Sequence, residues 1–300
     1  MPLQSLQLLR VAGRDRHAFL QGQLTQDLQS VTASCATRYA WADAQGRVLV
    51  AGELFAWNDA YWLTVPAALA EATARRLRLF VLRAQVTIEP AAWSLEGRRL
   101  PAGAAGLLQG CELPGRPLAC TATGDWCALR VDAERLLLAA AAPALPELLA
   151  ALPGDSIDSG AWTLADIRAG FARLESAAAA YIPQMLNLDL AGAVSFDKGC
   201  YPGQEVITRT RHLGRLKRRL FRFAAGLPAL MPGDPLFAAG GECGTVVLAA
   251  AAATGSEVLA VLRLDAAANP VFADAELRQP LLQRALPYEV PGIISGQQPA

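Results

Sequence analysis

Residues 198–205 read Lys198-Gly199-Cys200-Tyr201-Pro202-Gly203-Gln204-Glu205 and are the most informative stretch of this chain. They place a thiol, an ammonium, a phenol, a carboxamide and a carboxylate around two glycines and a proline. Glycine adopts backbone angles closed to other residues and lets a ligand approach the main chain, whereas proline fits the first turn of a helix. We therefore expect Cys200 and Tyr201 at the entrance of a helix, where free N–H groups favour a thiolate or a bound anion.

The composition is that of an ordered globular protein. A length of 300 residues allows two or three domains, and 53% hydrophobic with 18% charged residues excludes a disordered chain. The net charge of zero argues against a protein that coats nucleic acid with its whole surface. No apolar run reaches a membrane-spanning length and the amino terminus has no signal pattern, so we expect a cytoplasmic protein without membrane contact.

The cysteines and histidines do not form a metal-binding pattern. None of the six cysteines makes a C-x-x-C pair, and the two histidines, His17 and His212, lie far apart in the sequence. We therefore expect no metal site and mostly buried, reduced thiols. Cys200 is the exception, because Lys198 and the helix start should help its thiol to ionise and act as a nucleophile or metal ligand. The alternative for Cys200 is a small buried side chain at a tight turn.

The hydrophobic pattern predicts an α+β protein with a β-barrel at its end. Strands over 6–11, 37–43, 47–56, 61–65 and 85–88 and helices over 14–29 and 66–82 give the β-α-β-β-α-β order of a ferredoxin-like, split βαβ unit. A second such unit follows less clearly, with strands over 116–123, 126–131 and 135–139 and helices over 145–152 and 162–172. Strands over 216–223, 243–248, 258–264 and from 277 onward, broken by Pro-Gly and Gly-Gly turns, predict a small antiparallel barrel. The predicted boundaries are 1–92, 93–213 and 214–300.

A basic, linker-like segment runs from Arg209 to Arg222. It contains seven Lys or Arg residues and His212, with no acidic residue. Such a cluster on a neutral protein indicates contact with an anionic ligand, an acidic protein or an RNA phosphate backbone. The alternative is a solvated helix face and strand edge.

The octapeptide resembles the signature of the YgfZ-type folate-binding proteins, which are relatives of the glycine-cleavage T protein, an aminomethyltransferase. Other stretches that match the family, in the family's order, are 19–27, 43–47, 167–171, 182–188 and 286–288. The resemblance implies the same two modules and barrel around a central pocket for tetrahydrofolate. It also implies a role in iron–sulfur cluster assembly or repair for client proteins, including tRNA-modifying enzymes.

The resemblance also suggests which residues contact folate. Trp162 matches a family tryptophan that lies against the folate, although it could equally pack a helix onto the core. Gln23 and Asp27 become pocket candidates through their matching stretch. Lys198 would supply a positive field for Cys200 or a charge for the folate tail, unless it is an ordinary surface lysine.

The remaining candidates lie in and after the octapeptide. Tyr201 could orient the cysteine or simply pack. Gln204 and Glu205 could bind the pterin edge or cap the loop, and we favour the loop role for Gln204. Arg209 is a candidate for the anionic tail of folate.

Aminomethyltransferase chemistry is not expected. The T-protein relatives carry an acidic pair in the strand after the Gly-rich hairpin, where this chain has Val50 and Ala51. Glu53 is displaced from that place by two or three residues, which disrupts the geometry of proton transfer. The expected function is a folate-binding accessory factor with a reactive Cys200, and whether it turns over a substrate stays open. The alternatives are a folate-dependent one-carbon transferase and a non-catalytic folate-binding module with a protein or RNA partner.

Overall fold

The computed structural model describes residues 2–101, 103–175, 181–213, 216–226 and 229–291. The chain divides into two compact units. The first comprises Met1–Trp41, Leu49–Ser159 and Ala193–Pro202, and the second Ala42–Val48, Gly160–Gly192 and Gly203–Ala300, as far as these residues are described. The signature octapeptide is thus shared, since 198–202 belong to the first unit and 203–205 to the second. The three boundaries expected from the sequence stay a prediction.

The first sheet of the first unit contains five strands, and two helices accompany it. In chain order the elements are β1 (Leu6–Ala12), α1 (Arg16–Gln21), β2 (Thr37–Ala42), β3 (Val48–Trp57), β4 (Ala60–Pro66), α2 (Ala70–Arg78) and β5 (Thr87–Pro90), with a 3-10 turn at Ala67–Leu69. The strand order is β2-β3-β4-β1-β5, and β1 pairs antiparallel with β4 and β5. Helix α2 contributes Ala70, Ala74 and Leu77 to the core at helical spacing. The strands and the second helix follow the predicted order.

A second five-stranded sheet completes the first unit. Its region contains β6 (Ser94–Arg99), β7 (Leu107–Leu108), β8 (Cys111–Glu112), β9 (Cys120–Ala122), β10 (Trp126–Arg130), β11 (Arg135–Ala140), a 3-10 turn (Ala142–Ala144), α3 (Leu145–Ala151) and β12 (Asp155–Ile157). The sheet order is β12-β6-β11-β10-β9, and β7 pairs with β8 alone. Asp132 fixes the β10–β11 turn, because its carboxylate accepts the N–H groups of Glu134 and Arg135 at 2.9 and 2.8 Å. The predicted meander is therefore present, and α3 follows it.

The second unit carries the closed barrel. Its elements are α4 (Ser159–Arg168), which begins at the last residue of the first unit, a 3-10 turn (Pro183–Leu186), α5 (Gln204–Leu213), β13 (Arg218–Ala225), β14 (Pro235–Ala238), β15 (Gly241–Ala251), β16 (Ser256–Arg263), β17 (Val271–Phe272) and β18 (Pro280–Arg284). The barrel closes in the order β13-β16-β15-β14-β17-β18 through antiparallel pairs. Phe221, Phe223 and Leu236 are among the side chains that fill it. The mixed α and β architecture with a terminal antiparallel barrel confirms the predicted fold class.

Candidate functional site

Lys198 is the centre of a hydrogen-bonded clamp in the first unit. Its Nζ donates to the carbonyl oxygens of Gln21 at 2.7 Å, Leu24 at 2.7 Å and Gln26 at 2.9 Å. The side chain is only 9% exposed. The ammonium thus holds the 21–26 segment to the octapeptide and is not an ordinary surface lysine.

The helix predicted over 14–29 is present only over Arg16–Gln21, and the clamp explains why it ends there. Helix α1 ends at Gln21. The Thr25 N–H would continue the helix by donating to the Gln21 carbonyl, but it donates to the Ala40 carbonyl at 2.9 Å. The freed Gln21 carbonyl accepts from Lys198 instead. The leucines at helical spacing are buried all the same, in an irregular segment.

Thr25 is a structural residue that the sequence reasoning missed. Its hydroxyl lies within 2.6 Å of the Ala193 carbonyl and 3.0 Å of the Ala40 carbonyl, and its own carbonyl accepts the Ser195 N–H at 2.9 Å. The residue is fully buried. Thr25 therefore ties the loop before the octapeptide to the first sheet, and no local pattern distinguishes it from a solvent-facing threonine.

Burial and hydrogen bonds shift the pKa values of the clamp lysine and of two residues near it. Burial lowers the pKa of Lys198 to about 8, although the Asp27 carboxylate acts in the opposite direction. The pKa of Asp27 lies below its usual value, because the Gln29 N–H, the Gln21 amide and the Lys198 charge outweigh its burial. Burial raises the pKa of Tyr201 to about 12, and the Lys198 ammonium lies 5.3 Å from the centre of its ring. At neutral pH the clamp thus holds a cation over a neutral phenol.

Cys200 lies in the sequence between the buried residues Lys198 and Tyr201, and it is itself exposed. Lys198 and Tyr201 are 9% and 7% exposed, so they face inward where Cys200 faces solvent. The loop is anchored on both sides of the cysteine within the same unit. Its thiol is accessible to a reagent or partner.

The buried polar side-chain atoms of the first unit that have no hydrogen-bond partner among the described residues include two from the predicted folate contacts. These two are the Gln23 amide oxygen and the Tyr201 hydroxyl. An unmade hydrogen bond of a buried group costs about 1–3 kcal/mol. Such atoms are suited to binding the polar edge of a small molecule, and they belong to the predicted set of folate contacts.

Gly203 packs on a tight turn in the second unit. Its φ is +78°, and a Cβ built there would lie 2.4 Å from the Asp43 carbonyl oxygen and 2.6 Å from the Gly46 Cα. The Asp43 carboxylate fixes this turn by accepting the N–H groups of Gln45 and Arg47, both at 2.9 Å. Only glycine therefore fits at 203, against the turn of the matched stretch 43–47.

Helix α5 begins directly after Gly203. Gln204 is its first residue and is partly buried, whereas Glu205 and Arg209 are exposed. The Glu205 carboxylate and the Arg209 guanidinium are 4.0 Å apart across one helical turn. An exposed pair of this kind contributes less than about 1 kcal/mol, so both groups are available to a ligand or partner.

The matched stretch 182–188 has a structural task in the second unit. The Gln184 amide donates to the Ile207 carbonyl of α5 at 2.6 Å, and the Asn187 amide donates to the Leu220 carbonyl of β13 at 2.9 Å. Asn187 adopts a left-handed φ of 53° at the end of its 3-10 turn. The stretch thus joins α5 to the barrel.

The basic segment 209–222 is not a linker, and only some of its basic side chains are exposed. Helix α5 and strand β13 occupy most of it. Arg219 is buried and binds Asp189 through two hydrogen bonds of 2.7 and 3.0 Å, and Arg222 binds Glu257 at 2.6 Å. The exposed described members are Arg209, Arg211, Lys217 and Arg218. The side chain of His212 and the whole of Arg215 lie outside the described residues.

Arg222 shares its partner with another arginine of the second unit. Arg168, at the end of α4, donates to the other oxygen of Glu257 at 2.7 Å. The pKa of Glu257 lies below its usual value, because these two guanidinium groups outweigh the effect of burial. The carboxylate therefore joins α4 to the barrel.

Trp162 lies inside the second unit on α4. Its side chain is 1% exposed. A ligand would reach the indole only after the covering residues moved, so its contact with folate stays a prediction. The nearby stretches 167–171 and 286–288 meet where the Tyr288 hydroxyl donates to the Gly170 carbonyl at 2.6 Å.

Strand β3 offers no exposed carboxylate. Val50 and Ala51 are fully buried. Glu53 is also fully buried, and its carboxylate accepts the Thr64 hydroxyl at 2.6 Å. Glu53 therefore serves the pairing of β3 with β4.

Within the described ranges, no three His, Cys, Asp or Glu side chains are grouped closely enough to hold a metal ion. No helix in that part of the chain combines the length and the apolar character needed to span a membrane.

Comparisons with known proteins place the chain in a family. No protein-family model matches it. The tRNA-modifying protein YgfZ of Yersinia pestis is 31% identical, with 88% of this chain and 84% of that protein aligned. The protein of the same name from Vibrio vulnificus is 30% identical, with 77% of this chain and 71% of that protein aligned. The crystal structure of the glycine cleavage system aminomethyltransferase T from Bartonella henselae has a similar fold, with a TM-score of 0.74, 16% identity, and 95% of this chain and 84% of that chain covered. The chain therefore belongs to the family of tRNA-modifying YgfZ proteins and has the fold of an aminomethyltransferase T protein.

Proposed function

We propose that this protein is a tetrahydrofolate-binding accessory factor for iron–sulfur cluster assembly or repair, and that Cys200 is its reactive group. The clients would include enzymes that modify tRNA, in keeping with the names of the relatives. One observation carries the proposal: the Cys200 thiol is exposed on a loop whose neighbouring side chains are buried and clamped.

The other cysteines are poorer candidates. Cys120, Cys127 and Cys243 are buried. The pKa of Cys127 lies well above its ordinary value because of its hydrogen bond with Cys120 and its burial, and burial also raises the pKa of Cys243. A thiol that stays protonated is a weak nucleophile and a weak metal ligand. Cys35 and Cys111 are partly exposed but lie far from the octapeptide in the sequence.

The first unit offers polar contacts that suit a pterin. The Gln23 amide oxygen accepts and the Tyr201 hydroxyl donates or accepts a hydrogen bond, and neither atom has a partner among the described residues. Asp27, whose lowered pKa keeps it ionised, is the third candidate in this unit. Tetrahydrofolate, when bound, supplies a reduced pterin that carries one-carbon groups. Lys198 would act by fixing the 21–26 segment, since its ammonium donates to that segment's carbonyls.

The second unit holds further candidate contacts for folate. Gln204, Glu205 and Arg209 lie on the first turns of α5, and the last two are exposed. Arg209 suits the anionic glutamate tail of a folate. Trp162 stays a proposed contact whose use requires a movement of the residues that cover it.

The thiol is tested in a strain that lacks the protein. Cys200→Ser and the matched control Cys111→Ser are each expressed there, and the activity of an iron–sulfur enzyme that modifies tRNA is measured. We expect Cys111→Ser to restore the activity and Cys200→Ser to leave it at the level of the deletion. Restoration by both variants would remove the thiol from the function.

Folate binding is tested by calorimetric titration with tetrahydrofolate. Gln23→Leu removes the amide whose oxygen is buried, and Gln29→Leu makes the same change at an exposed position of the same segment. Loss of a hydrogen bond made in a buried site weakens binding by about tenfold, so we expect this for Gln23→Leu alone. Equal affinities of both variants and the wild type would exclude the proposed contact.

A one-carbon transferase receives no support from strand β3. Val50 and Ala51 carry no ionisable group, and Glu53 is buried against Thr64. We expect no turnover when the protein is incubated with tetrahydrofolate and an aminomethyl donor. Measurable turnover would require a catalytic acid elsewhere.

A further inference from the structure

We propose that the end of helix α2 and the turn that follows it form a docking surface for an acidic protein segment that also carries apolar side chains. We call this surface the Arg–Leu patch. It consists of Arg75, Arg76, Arg78, Leu79, Phe80, Leu82 and Arg83. The patch lies in the first unit and contains no residue of the octapeptide.

The apolar part of the patch is unusually exposed. Leu79 is 73% exposed, Phe80 43% and Leu82 87%. They are half of the six large hydrophobic residues that are exposed in the described chain, and they fall within four consecutive positions. Singly scattered apolar residues are normal on a protein surface, but a contiguous cluster marks an interaction site.

The patch is held in one conformation before any partner arrives. The N–H groups of Leu79, Phe80 and Val81 donate to the carbonyls three residues earlier at 3.2, 3.0 and 3.1 Å. The Phe80 ring meets the buried Trp41 edge to face, with 6.3 Å between the ring centres. A preformed surface spends less conformational entropy on binding than a loop that must first be ordered.

The charged residues of the patch itself are all arginines. The nine residues 75–83 contain four arginines and no acidic residue. Arg78 lies 3.8 Å from Glu71, and Arg76 lies 5.9 Å from the centre of the Trp41 ring. Among the described residues, neither Arg75 nor Arg83 has an ion-pair partner.

The helix dipole does not account for the patch. Cations at the carboxyl end of a helix are stabilising, which explains Arg75, Arg76 and Arg78 in the last turn of α2. It does not explain why Leu79 and Leu82, just beyond the helix, point into solvent. The combination of both features matches a ligand that is anionic and apolar at once.

An acidic, apolar-bearing protein segment fits this combination better than the other occupants. A second copy of this chain would bring the arginines face to face. An RNA backbone would pair with the arginines but leave Leu79 and Leu82 uncovered. A membrane could bury only the side chains of Leu79, Phe80 and Leu82. Even a whole acyl chain by itself attaches a protein to a membrane only marginally.

The test uses a fluorescein-labelled synthetic peptide that forms an amphipathic helix of glutamates and leucines. Its binding to the full chain is followed by fluorescence anisotropy, with the same peptide carrying lysines for glutamates as comparison. We expect saturable binding of the acidic peptide only. The affinity should fall as salt rises from about 50 to about 300 mM, because salt screens exposed charges.

Variants locate the binding. The double variants Leu79→Ser/Leu82→Ser and Arg75→Gln/Arg83→Gln should each bind about tenfold more weakly, as expected for central interface residues. The control Leu107→Ser removes a leucine that is 61% exposed elsewhere in the same unit and should leave the affinity unchanged. Both double variants change exposed residues, and their thermal unfolding is compared with that of the wild type.

Three results would overturn the proposal. They are no saturable binding of the acidic peptide, equal binding of the lysine peptide, and an equal loss of affinity in Leu107→Ser. Unfractionated tRNA and vesicles of phosphatidylcholine and phosphatidylglycerol are tested in parallel. Binding of either one that depends on the patch, without binding of the acidic peptide, would also overturn it.

Discussion

The signature octapeptide has a buried half and an exposed half, and the two differ in what they contribute. Lys198 and Tyr201 are 9% and 7% exposed, and Gly203 is pressed against a neighbouring turn. Cys200 and Glu205 are exposed, and a Cβ at Gly199 would meet no atom within 4 Å. The first set builds the loop, whereas the second is free to meet a ligand or partner. A motif that reads as a run of reactive groups is thus partly a structural device.

The largest effect on stability is expected at Gly203. In Gly203→Ala the new methyl group would approach the Asp43 carbonyl and the Gly46 Cα at 2.4 and 2.6 Å, and alanine is strained at a φ of +78°. Overpacking and backbone strain together cost about 3–4 kcal/mol. Urea-induced unfolding measures the loss.

Gly199→Ala is the matched control within the same octapeptide. It adds the same methyl group in open space, so the free energy of unfolding should stay within about 0.5 kcal/mol of the wild type. Equal losses in the two alanine variants would remove the distinction between the two halves.

The second-largest loss of stability is expected at Lys198. Lys198→Met removes the donor for three carbonyl oxygens and should cost about 2–3 kcal/mol, because buried acceptors are left without a partner. The control Lys217→Met changes an exposed lysine and should be neutral. If both variants unfold at the same urea concentration as the wild type, the clamp does not stabilise the protein.

The difference in the free energy of unfolding between the wild type and Lys198→Met should depend on pH. The pKa of Lys198 is about 8 in the folded chain and 10.5 when the side chain is solvated. Between these values the unfolded chain retains a proton that the folded chain has lost, so stability rises with pH. The free energy of unfolding of the wild type should therefore increase relative to that of Lys198→Met between pH 8 and 10.5. A constant difference across this range would contradict the lowered pKa.

The smallest effect on stability is expected at Tyr201. Its hydroxyl is buried and has no hydrogen-bond partner among the described residues, so Tyr201→Phe breaks no hydrogen bond and should not lower the free energy of unfolding. The affinity for tetrahydrofolate should fall if the hydroxyl serves the ligand. A large destabilisation would instead assign Tyr201 to the framework of the loop, and an unchanged affinity would remove it from the proposed site.

Much of the fold follows from local sequence patterns. The strands of the first sheet and the long strands of the barrel carry enough apolar residues between turn residues to be predicted from their periodicity. The sequence pattern does not predict two barrel strands, Pro235–Ala238 and Val271–Phe272. They have four and two residues, which is too short for a pattern to form.

The sequence by itself determined the family, the order of strands and helices along residues 1–92, the terminal barrel and the choice of the octapeptide as a candidate site, because each of these depends on neighbouring residues. The tertiary structure decided where the 21–26 segment leaves its helix, since Lys198 lies more than 170 residues away from it. It also decided which arginines are available: Arg219 and Arg222 are bound by Asp189 and Glu257, while those of the Arg–Leu patch stay exposed. Hydrogen bonds and ion pairs between residues distant in the chain leave no periodic trace in the sequence, so only the folded chain separates a framework charge from a free one.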